Sequence, residues 1–276
     1  MLLGKGARVV MLNRNAQKAA GVVADLVAEF GGDADVTAIH MDLASLDSVR
    51  RAAAEVLESA PRNDALLCNA AIAQIGKQEL TVDGFESQLG VNHLGHFLLC
   101  ALLFARIEAS EGRVVVVGSL AYKQGLKRIK FEDLNFDEGY SPWSSYAQSK
   151  LAQMMFAYEL QRRVQAAGKT VQVQVCHPGA SRTSLIQGES VSFVLKVLWA
   201  AMAPIVAQSA EKGSWPQVLC ATEDGLQPEA FYGPTKRGET VGAVDRCSLD
   251  PVALDREAAS RLWTLSEEKT STAFTV

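Results

Sequence analysis

The sequence predicts an α/β fold in which a doubly wound parallel sheet forms the middle of three layers. Short apolar runs alternate with longer stretches of helical spacing, which is typical of strand–helix–strand units. The runs are apolar almost throughout, as strands buried on both faces are. The chain has 276 residues, is 48% hydrophobic and 21% charged, and shows no linker-like shift in composition. We therefore expect a single domain spanning residues 1–276.

Each predicted strand is a short apolar run, and each predicted helix has apolar residues recurring at helical spacing. The predicted strands are 8–12, 36–40, 65–69, 113–118, 171–177 and 230–232. The predicted helices are 16–30, 45–60, 85–108, a run from 144 through 160, 210–221 and 255–266. Gly233 and Pro234 are predicted to end the last strand.

Charge and cysteine usage narrow the function classes. A net charge of −4 and a pI of about 5.7 argue against a nucleic-acid partner, which would need a clustered basic surface. Five widely spaced cysteines with mostly apolar neighbours predict a reducing, cytoplasmic compartment and neither disulfides nor a metal site. We expect no signal peptide. The apolar stretch 191–206 contains Lys196 and Pro204 and is shorter than a membrane span, so we expect no stable membrane insertion.

Tyr146 and Lys150 are the first candidates for chemistry. They stand four residues apart in a helical run, so they share one face of the helix. An ammonium near a phenol lowers the phenol pKa from about 10, which suits Tyr146 to donate or accept a proton. The alternative is a chance spacing on an amphipathic helix, with the tyrosine at the core edge and the lysine in solvent.

Small or polar residues follow five of the predicted strands. Ligands of open parallel sheets collect outside the carboxyl ends of the strands, so this edge of the sheet is the predicted binding site. The alternative for each residue is an ordinary turn position. The residues are Asn13-Arg14, Asp42-Leu43, Asn69-Ala70-Ala71, Gly118-Ser119 and His177-Pro178-Gly179.

These motifs resemble the short-chain dehydrogenase/reductase family, from about Gly6 to the end of the chain. The resemblance implies a Rossmann-type sheet. Cys-Asn-Ala-Ala, Asn-His-Leu-Gly-His-Phe and Trp-Ser-Ser-Tyr-Ala-Gln-Ser-Lys are similar to the retinol dehydrogenase-like and WW-domain oxidoreductase-like branch. The Tyr-Lys-Asp-Ser-Lys usual in protochlorophyllide reductases does not match. The carrying residues are Tyr146-x-x-x-Lys150, Ser119, Asn92, Asn69, Asp42-Leu43, and His177-Pro178-Gly179 with Thr183.

The resemblance implies a catalytic tetrad of Asn92, Ser119, Tyr146 and Lys150. Tyr146 would exchange the proton, and Ser119 would hold and polarise the carbonyl oxygen. Lys150 would lower the pKa of Tyr146 and bond the nicotinamide ribose, and Asn92 would support a water-mediated proton path to Lys150. The implied cofactor-binding residues are Asn13, Arg14, Asp42, Leu43, Asn69, Ala70, Ala71, Tyr146, Lys150, Pro178, Gly179 and Thr183. Three histidines lie within or beside these motifs, His93, His96 and His177. We expect them to be structural, and we expect no bound metal.

Cofactor preference can be argued from charge. In the family, a carboxylate at the end of the second strand bonds the ribose 2′-hydroxyl of NAD, whereas an arginine there accommodates the 2′-phosphate of NADP. The chain carries Asn13 and Arg14 there and no acidic residue. We therefore expect NADP (NADPH) to be preferred over NAD.

One motif of the family is absent. Its first βα unit carries a Gly-rich turn that cradles the pyrophosphate, but residues 1–7 look like the tail of that unit's helix. We expect the first strand to be missing, which would leave two strand edges exposed or force them to pair directly. A misassigned start, a true truncation and a remodelled fold are the three explanations.

The resulting hypothesis is an NADP-dependent oxidoreductase that interconverts an alcohol and a ketone or aldehyde on an apolar substrate. Residues 180–225 fall where family members place a substrate lid. The alternative is a non-catalytic scaffold or interaction protein that keeps the fold without dinucleotide binding. By resemblance we also expect a homodimer or homotetramer that assembles through the helices containing His96 and Tyr146.

Overall fold

The computed structural model describes residues 1–32, 34–180 and 208–276, and within them the α/β fold is confirmed. Parallel strands lie between helices, with β6 and β7 as the antiparallel pair. The strands are β1 (Val9–Asn13), β2 (Val36–His40), β3 (Ala65–Cys68), β4 (Arg113–Val117), β5 (Gln172–Cys176), β6 (Phe231–Lys236) and β7 (Val241–Arg246). The helices are α1 (Ala16–Phe30), α2 (Leu46–Ser59), α3 (Ser87–Leu89), α4 (Gly95–Ala109), α5 (Pro142–Ala166), α6 (Ala210–Thr222) and α7 (Arg256–Thr270).

The strands form two separate sheets. β1 pairs with β2, and the other five run in the order β3-β4-β5-β6-β7. The missing first strand was expected either to leave two strand edges exposed or to force them to pair directly. Within the described residues no ladder joins β1 to β3, so these edges stay unpaired. Four residues of β1 are only half-buried and the fifth is exposed, whereas four of five in β4 are fully buried.

The valines of β4 show why its sequence is apolar without alternation. Val114 and Val116 belong to the main core beneath α2, α4, α5 and α7. Val115 and Val117 belong to a smaller core on the opposite face, together with Cys220 of α6. A strand buried on both faces has no solvent side on which polar residues could alternate.

The end of the sheet differs from the prediction. β6 does not end at Gly233 and Pro234 but continues to Lys236, then turns back into β7, which was not predicted. In the ladder formed by the described residues, β6 pairs with β5 at Phe231 and Tyr232. Beyond these two residues, no other described strand pairs with that edge of β6, and an edge position tolerates the missing N–H of Pro234.

Residues 1–7 form the predicted helix end. A short 3₁₀ turn spans Leu3–Lys5, and Gly6 follows in the left-handed conformation with a φ of 81°. The N–H of Gly6 donates to Leu3 O and the N–H of Ala7 to Leu2 O. This pair of bonds is the Schellman arrangement that closes helices at a glycine.

The two-stranded unit joins the rest of the fold through helices. Val49 and Val56 of α2 lie in the same core as α4. At Gly95, a Cβ would lie 2.7 Å from the backbone oxygen of Leu43, so the absence of a side chain lets the segment after β2 rest on α4. This contact brings the carboxyl end of β2 to the helix that follows Asn92.

Helix α7 and the C-terminal tail cover an aromatic face on α4 and α5. The Trp263 ring packs edge-to-face against Phe97, with centroids 5.3 Å apart, and at a tilt against Phe156, with centroids 5.8 Å apart. Phe274 lies 5.5 Å from Phe97 and 5.4 Å from Phe104. The helical run Ser87–Ala109 has the length and hydropathy of a membrane span, but 83% of its apolar window is buried in the fold. These residues therefore form core packing within the chain.

Replacing Gly95 with Ala should destabilise the fold by about 1–3 kcal/mol, because the new methyl group meets a backbone oxygen. Gly21→Ala is the matched control. Gly21 lies within α1 with open space around it, so that alanine should stabilise by about 0.5–1 kcal/mol. Chemical denaturation of both variants measures the difference, and equal signs would contradict the assigned contact.

Candidate active site

Tyr146 and Ser119 meet at the carboxyl end of β4. Helix α5 begins at Pro142 with Ser141 as its cap, so the buried Tyr146 lies in its second turn. Ser119 follows β4 and caps the 3₁₀ turn Leu120–Lys123, where its Oγ accepts from the N–H of Ala121 at 3.2 Å. The Ser119 side chain also acts on the Tyr146 phenol, whose pKa it lowers. The structure thus brings the predicted proton donor and the predicted oxygen-binding group close together.

The expectation that Lys150 lowers the pKa of Tyr146 is wrong for this structure. Burial raises the pKa of Tyr146, and the Ser119 side chain opposes that shift. The phenol packs with Ala73 and Ala121, so little water is available to stabilise a phenolate. Tyr146 is therefore held protonated at neutral pH.

Among the described residues, the hydrogen-bond partners of the Lys150 ammonium do not include the phenol. Its Nζ donates to Val117 O at 3.0 Å and to Gln153 Oε1 at 2.9 Å. Burial lowers the pKa of Lys150 to about 7. Gln153 was not singled out in the sequence, although it lies three residues after Lys150 and so on the same helix face.

Asn92 braces the site from within a π-helical turn, Gly90–Leu94. Its Oδ1 accepts from the N–H of Ile72, and its Nδ2 donates to Ile72 O and to Ser149 Oγ, each at 2.9 Å. Asn92 is fully buried. These bonds join the segment after β3 to α5, next to Lys150, without direct contact between Asn92 and Lys150.

A polar route runs from the Asn92 carbonyl to Lys150. His96 Nδ1 lies 3.0 Å from Asn92 O and 3.4 Å from Gln153 Nε2, and Gln153 accepts from Lys150. Burial lowers the pKa of His96 to about 4, so the imidazole is neutral at physiological pH. The water-mediated proton path from Asn92 to Lys150 remains a prediction. His96 and Gln153 lie between the two groups that such a path would join.

The predicted adenosine-side residues lie at the ends of β1 and β2. Asn13 and Arg14 are exposed, and Arg14 has no ion pair or hydrogen bond to any residue that the structure describes. Asp42 Oδ1 accepts from the N–H of Ala44 at 2.9 Å, while its Oδ2 has no partner within the described ranges. Leu43 is buried against Gly95.

The other predicted cofactor residues follow β3 and β5. Asn69 and Ala70 are exposed, Ala71 is half-buried, and no described residue hydrogen-bonds the Asn69 side chain. Pro178 and Gly179 are half-buried. Gly179 has a φ of 65°, and a Cβ there would lie 2.2 Å from Thr240 O, so only glycine fits this turn. Thr183 lies outside the described residues, as does the predicted lid between 181 and 207.

His177 belongs to a polar cluster that the sequence did not reveal. Its Nδ1 accepts from the N–H of Gly179 at 3.2 Å, so Nε2 carries the proton and faces Cys247 Sγ at 3.3 Å. Glu239 lies within 4.8 Å of both side chains but is paired with Lys123 Nζ at 2.9 Å. The three side chains already have protein partners, and His177 holds the turn at Gly179.

Comparisons with known proteins identify relatives over most of the chain. The family model described as short chain dehydrogenase matches residues 1–131. Mouse retinol dehydrogenase 14 is 36% identical over 96% of this chain and 79% of its own length. Human retinol dehydrogenase 13 is 35% identical over 95% of this chain and 76% of its own length. A crystal structure of an uncharacterised Mycobacterium paratuberculosis protein matches with a TM-score of 0.77 and 37% identity, covering 100% of this chain and 88% of that one.

Asn92→Ala should destabilise the fold by about 1–3 kcal/mol, because it removes the hydrogen-bond partner of both the N–H and the C=O of the half-buried Ile72. Ser149→Ala is the comparison. This substitution removes the hydroxyl that accepts from Asn92 Nδ2 and donates to Tyr146 O, but it leaves Ile72 paired with Asn92. It should therefore lower the free energy of unfolding by about 1 kcal/mol. Urea denaturation ranks the two, and a smaller loss for Asn92→Ala would contradict the bracing role.

Proposed function

This chain belongs to the short-chain dehydrogenase family and its retinol dehydrogenase-like branch, and from that premise we propose NADP-dependent interconversion of an alcohol with a ketone or aldehyde. Members of this branch are oxidoreductases that act on CH–OH groups. The proximity of Ser119 to the buried Tyr146, whose pKa its side chain lowers, carries the proposal, because it places two polar hydroxyls near each other in a largely apolar setting.

Unpartnered polar groups at the carboxyl ends of the strands fit the two ends of a dinucleotide. Arg14, Asp42 Oδ2 and the Asn69 side chain have no protein partner in the part of the chain that the structure describes, while the Lys150 ammonium is bonded to Val117 O at the end of β4. A guanidinium suits a 2′-phosphate because it forms bidentate, charge-assisted bonds. For the pyrophosphate the sequence supplies no Gly-rich turn.

The residues of the chain supply binding, orientation and the proton. When bound, the dinucleotide supplies or accepts the hydride. Ser119 hydrogen-bonds the substrate oxygen and holds it next to the Tyr146 hydroxyl. In the reducing direction Tyr146 gives that oxygen its proton, and in the oxidising direction it takes the alcohol proton. The raised pKa of Tyr146 keeps the phenol protonated, which suits donation.

Lys150 lies one helical turn after Tyr146 on α5 and is the group that we propose returns a proton to Tyr146. Its lowered pKa of about 7 lies close to physiological pH, so both of its protonation states are populated there. The Val117 and Gln153 oxygens hold the ammonium in place. For Lys150 to lower the pKa of Tyr146, its ammonium would have to turn from Val117 O toward the phenol.

Substrate, location and assembly are further parts of the proposal. An apolar alcohol or aldehyde is supported by relatives named as retinol dehydrogenases and by the apolar residues around Tyr146. A reducing, cytoplasmic location is supported by five free cysteines. For the homodimer or homotetramer, the aromatic face of α4 and α5 is already covered by Trp263 and Phe274, so the contact would use other surfaces.

Tyr146→Phe should lower the rate of NADPH-dependent carbonyl reduction by about 10²–10⁴-fold, the usual contribution of a positioned acid. Retinal and a panel of apolar aldehydes serve as substrates. Binding of NADPH, followed by quenching of the four tryptophans, should be retained in the variant. Wild-type protein that neither binds NADPH nor reduces a carbonyl would support the non-catalytic scaffold instead.

Arg14→Ala should weaken NADPH binding by about 10–100-fold, the equivalent of about 1.5–3 kcal/mol for lost charge-assisted bonds. NADH binding should change little because NADH has no 2′-phosphate. Arg8→Ala removes a charge just before the same strand, where Arg8 pairs with Asp35 at 3.5 Å, and should spare both cofactors. Equal losses of NADPH and NADH in Arg14→Ala would reject the NADP preference.

A further inference from the structure

An exposed indole lies beside the phenol of the candidate active site. Trp143 is the second residue of α5 and precedes Tyr146 by three positions, so the two side chains lie on one face of the helix. Their ring centroids are 6.2 Å apart, and the ring planes are inclined by 52°. Trp143 is 38% exposed, whereas Tyr146 is 7% exposed. Trp143 is not among the predicted catalytic or cofactor-binding residues.

The other neighbours of the phenol are small. Tyr146 packs with Ala73 and Ala121, and each alanine carries a single methyl group. These two residues offer little apolar surface to a molecule bound at the Tyr146 hydroxyl. Trp143 is the large apolar side chain found beside the phenol in the part of the chain that the structure describes, and water still reaches it.

A second exposed apolar side chain lies close to the same helical turn. At Gly125, a Cβ would lie 3.1 Å from Ala147 Cβ and 3.8 Å from Ser144 Cα, so the loop before α5 rests on the first turns of this helix. Leu126 follows in that loop and is 43% exposed. The surface around Tyr146 is therefore apolar at two points that solvent reaches, as a site for an apolar molecule requires.

Hydrogen bonds hold the backbone around Trp143 in place. The fully buried Gln88 lies with its Nε2 3.2 Å from Pro142 O and 3.1 Å from Ser145 Oγ. Its Oε1 accepts from the N–H of Gln74 at 2.8 Å. The first turn of α5 is thus tied to the segment after β3, and a bound molecule need not order it.

The indole is placed to contact the body of a substrate and not its reacting group. An indole does not exchange protons at physiological pH, so its contribution is apolar area and the face of its ring. A substrate oxygen bonded to the Tyr146 hydroxyl leaves the rest of the molecule to extend away from that hydroxyl. With 6.2 Å between the two ring centroids, Trp143 is within reach of groups a few bonds from the carbonyl carbon.

We propose that Trp143 determines substrate specificity by holding a flat ring of the substrate against its indole. This inference rests on the proposed carbonyl reduction and names its preferred substrates, which are aldehydes with an aryl group a few bonds from the carbonyl carbon. Paired aromatic rings gain stabilisation beyond the burial of their area. A saturated ring of similar size is equally apolar but lacks that gain.

A matched pair of aldehydes, 3-phenylpropanal and 3-cyclohexylpropanal, tests the preference. They share one chain length, and neither ring is conjugated with the carbonyl group, so their intrinsic reactivities are similar. The wild-type protein should show a KM about 2–10-fold lower for the phenyl compound. Trp143→Leu keeps an apolar side chain without a ring, so the preference should disappear through KM and not through kcat. An unchanged preference in this variant would overturn the proposal.

Two further variants separate ring contact from general effects of substitution. Trp143→Phe retains a flat ring and should keep a preference for 3-phenylpropanal. Trp215→Leu removes a tryptophan of similar exposure, 36%, from α6, and should leave the preference as it is in the wild-type protein. A preference lost equally in all three variants would contradict a specific role for the indole.

Non-reducible analogues distinguish failure of this inference from failure of the proposed reaction. The carbonyl oxygens of 3-phenylpropanamide and 3-cyclohexylpropanamide accept the same hydrogen bonds as the aldehydes, and calorimetry in the presence of NADPH gives their affinities. Wild-type protein should bind the phenyl amide about 2–10-fold more tightly, and Trp143→Leu should bind both equally. That result without reduction of either aldehyde would reject the reaction and retain the role of Trp143. Equal affinities of the wild-type protein for the two amides would reject that role.

Discussion

The candidate site depends on the need to satisfy the fully buried side-chain amide of Asn92, and the backbone of Ile72 meets most of that need. Asn92 pairs with both the N–H and the C=O of Ile72 and uses its remaining amide hydrogen on Ser149. Buried polar groups without partners are rare because each is costly. The segment after β3 and the helix that carries Tyr146 and Lys150 are therefore held at one relative position. The apolar contact of Ala73 with Tyr146 follows from that position.

The division of the sheet places the two halves of the proposed cofactor site on different units. The nicotinamide side, with Ser119 and Tyr146, belongs to the five-stranded sheet, and Arg14 follows a strand of the two-stranded sheet. No hydrogen-bond ladder among the described residues links the halves. Their relative position is set by helix packing and by the contact of Leu43 with Gly95. A change at Gly95 would thus act on adenosine-side binding without touching the residues that handle the proton.

Much of this arrangement could be predicted from the sequence, because it follows from local periodicity and spacing. The valines of β4 predicted a buried parallel strand, and the four-residue spacing predicted that Tyr146 and Lys150 share a helix face. The direction of the Lys150 ammonium could not be predicted, because it depends on Val117 O and Gln153 Oε1. β7 also escaped prediction, since its residues are mostly half-exposed and lack a clear apolar pattern. The polar cluster at His177 joins residues 70 positions apart, which spacing cannot reveal.

Helix α7 links the remaining features of the fold. Trp263 of α7 and Phe274 of the tail pack against Phe97, and Trp263 also packs against Phe156, so they cover an aromatic face of the two helices through which the resemblance implies subunit contacts. Removing this cover to admit another subunit would expose large side chains, each stabilised by about 1.5–3 kcal/mol of burial. The same helix brings Ser266 Oγ to within 2.8 Å of His93 Nε2. Because α7 does not fill the space between itself and the loop 131–137, a cavity of about 360 Å³ remains there.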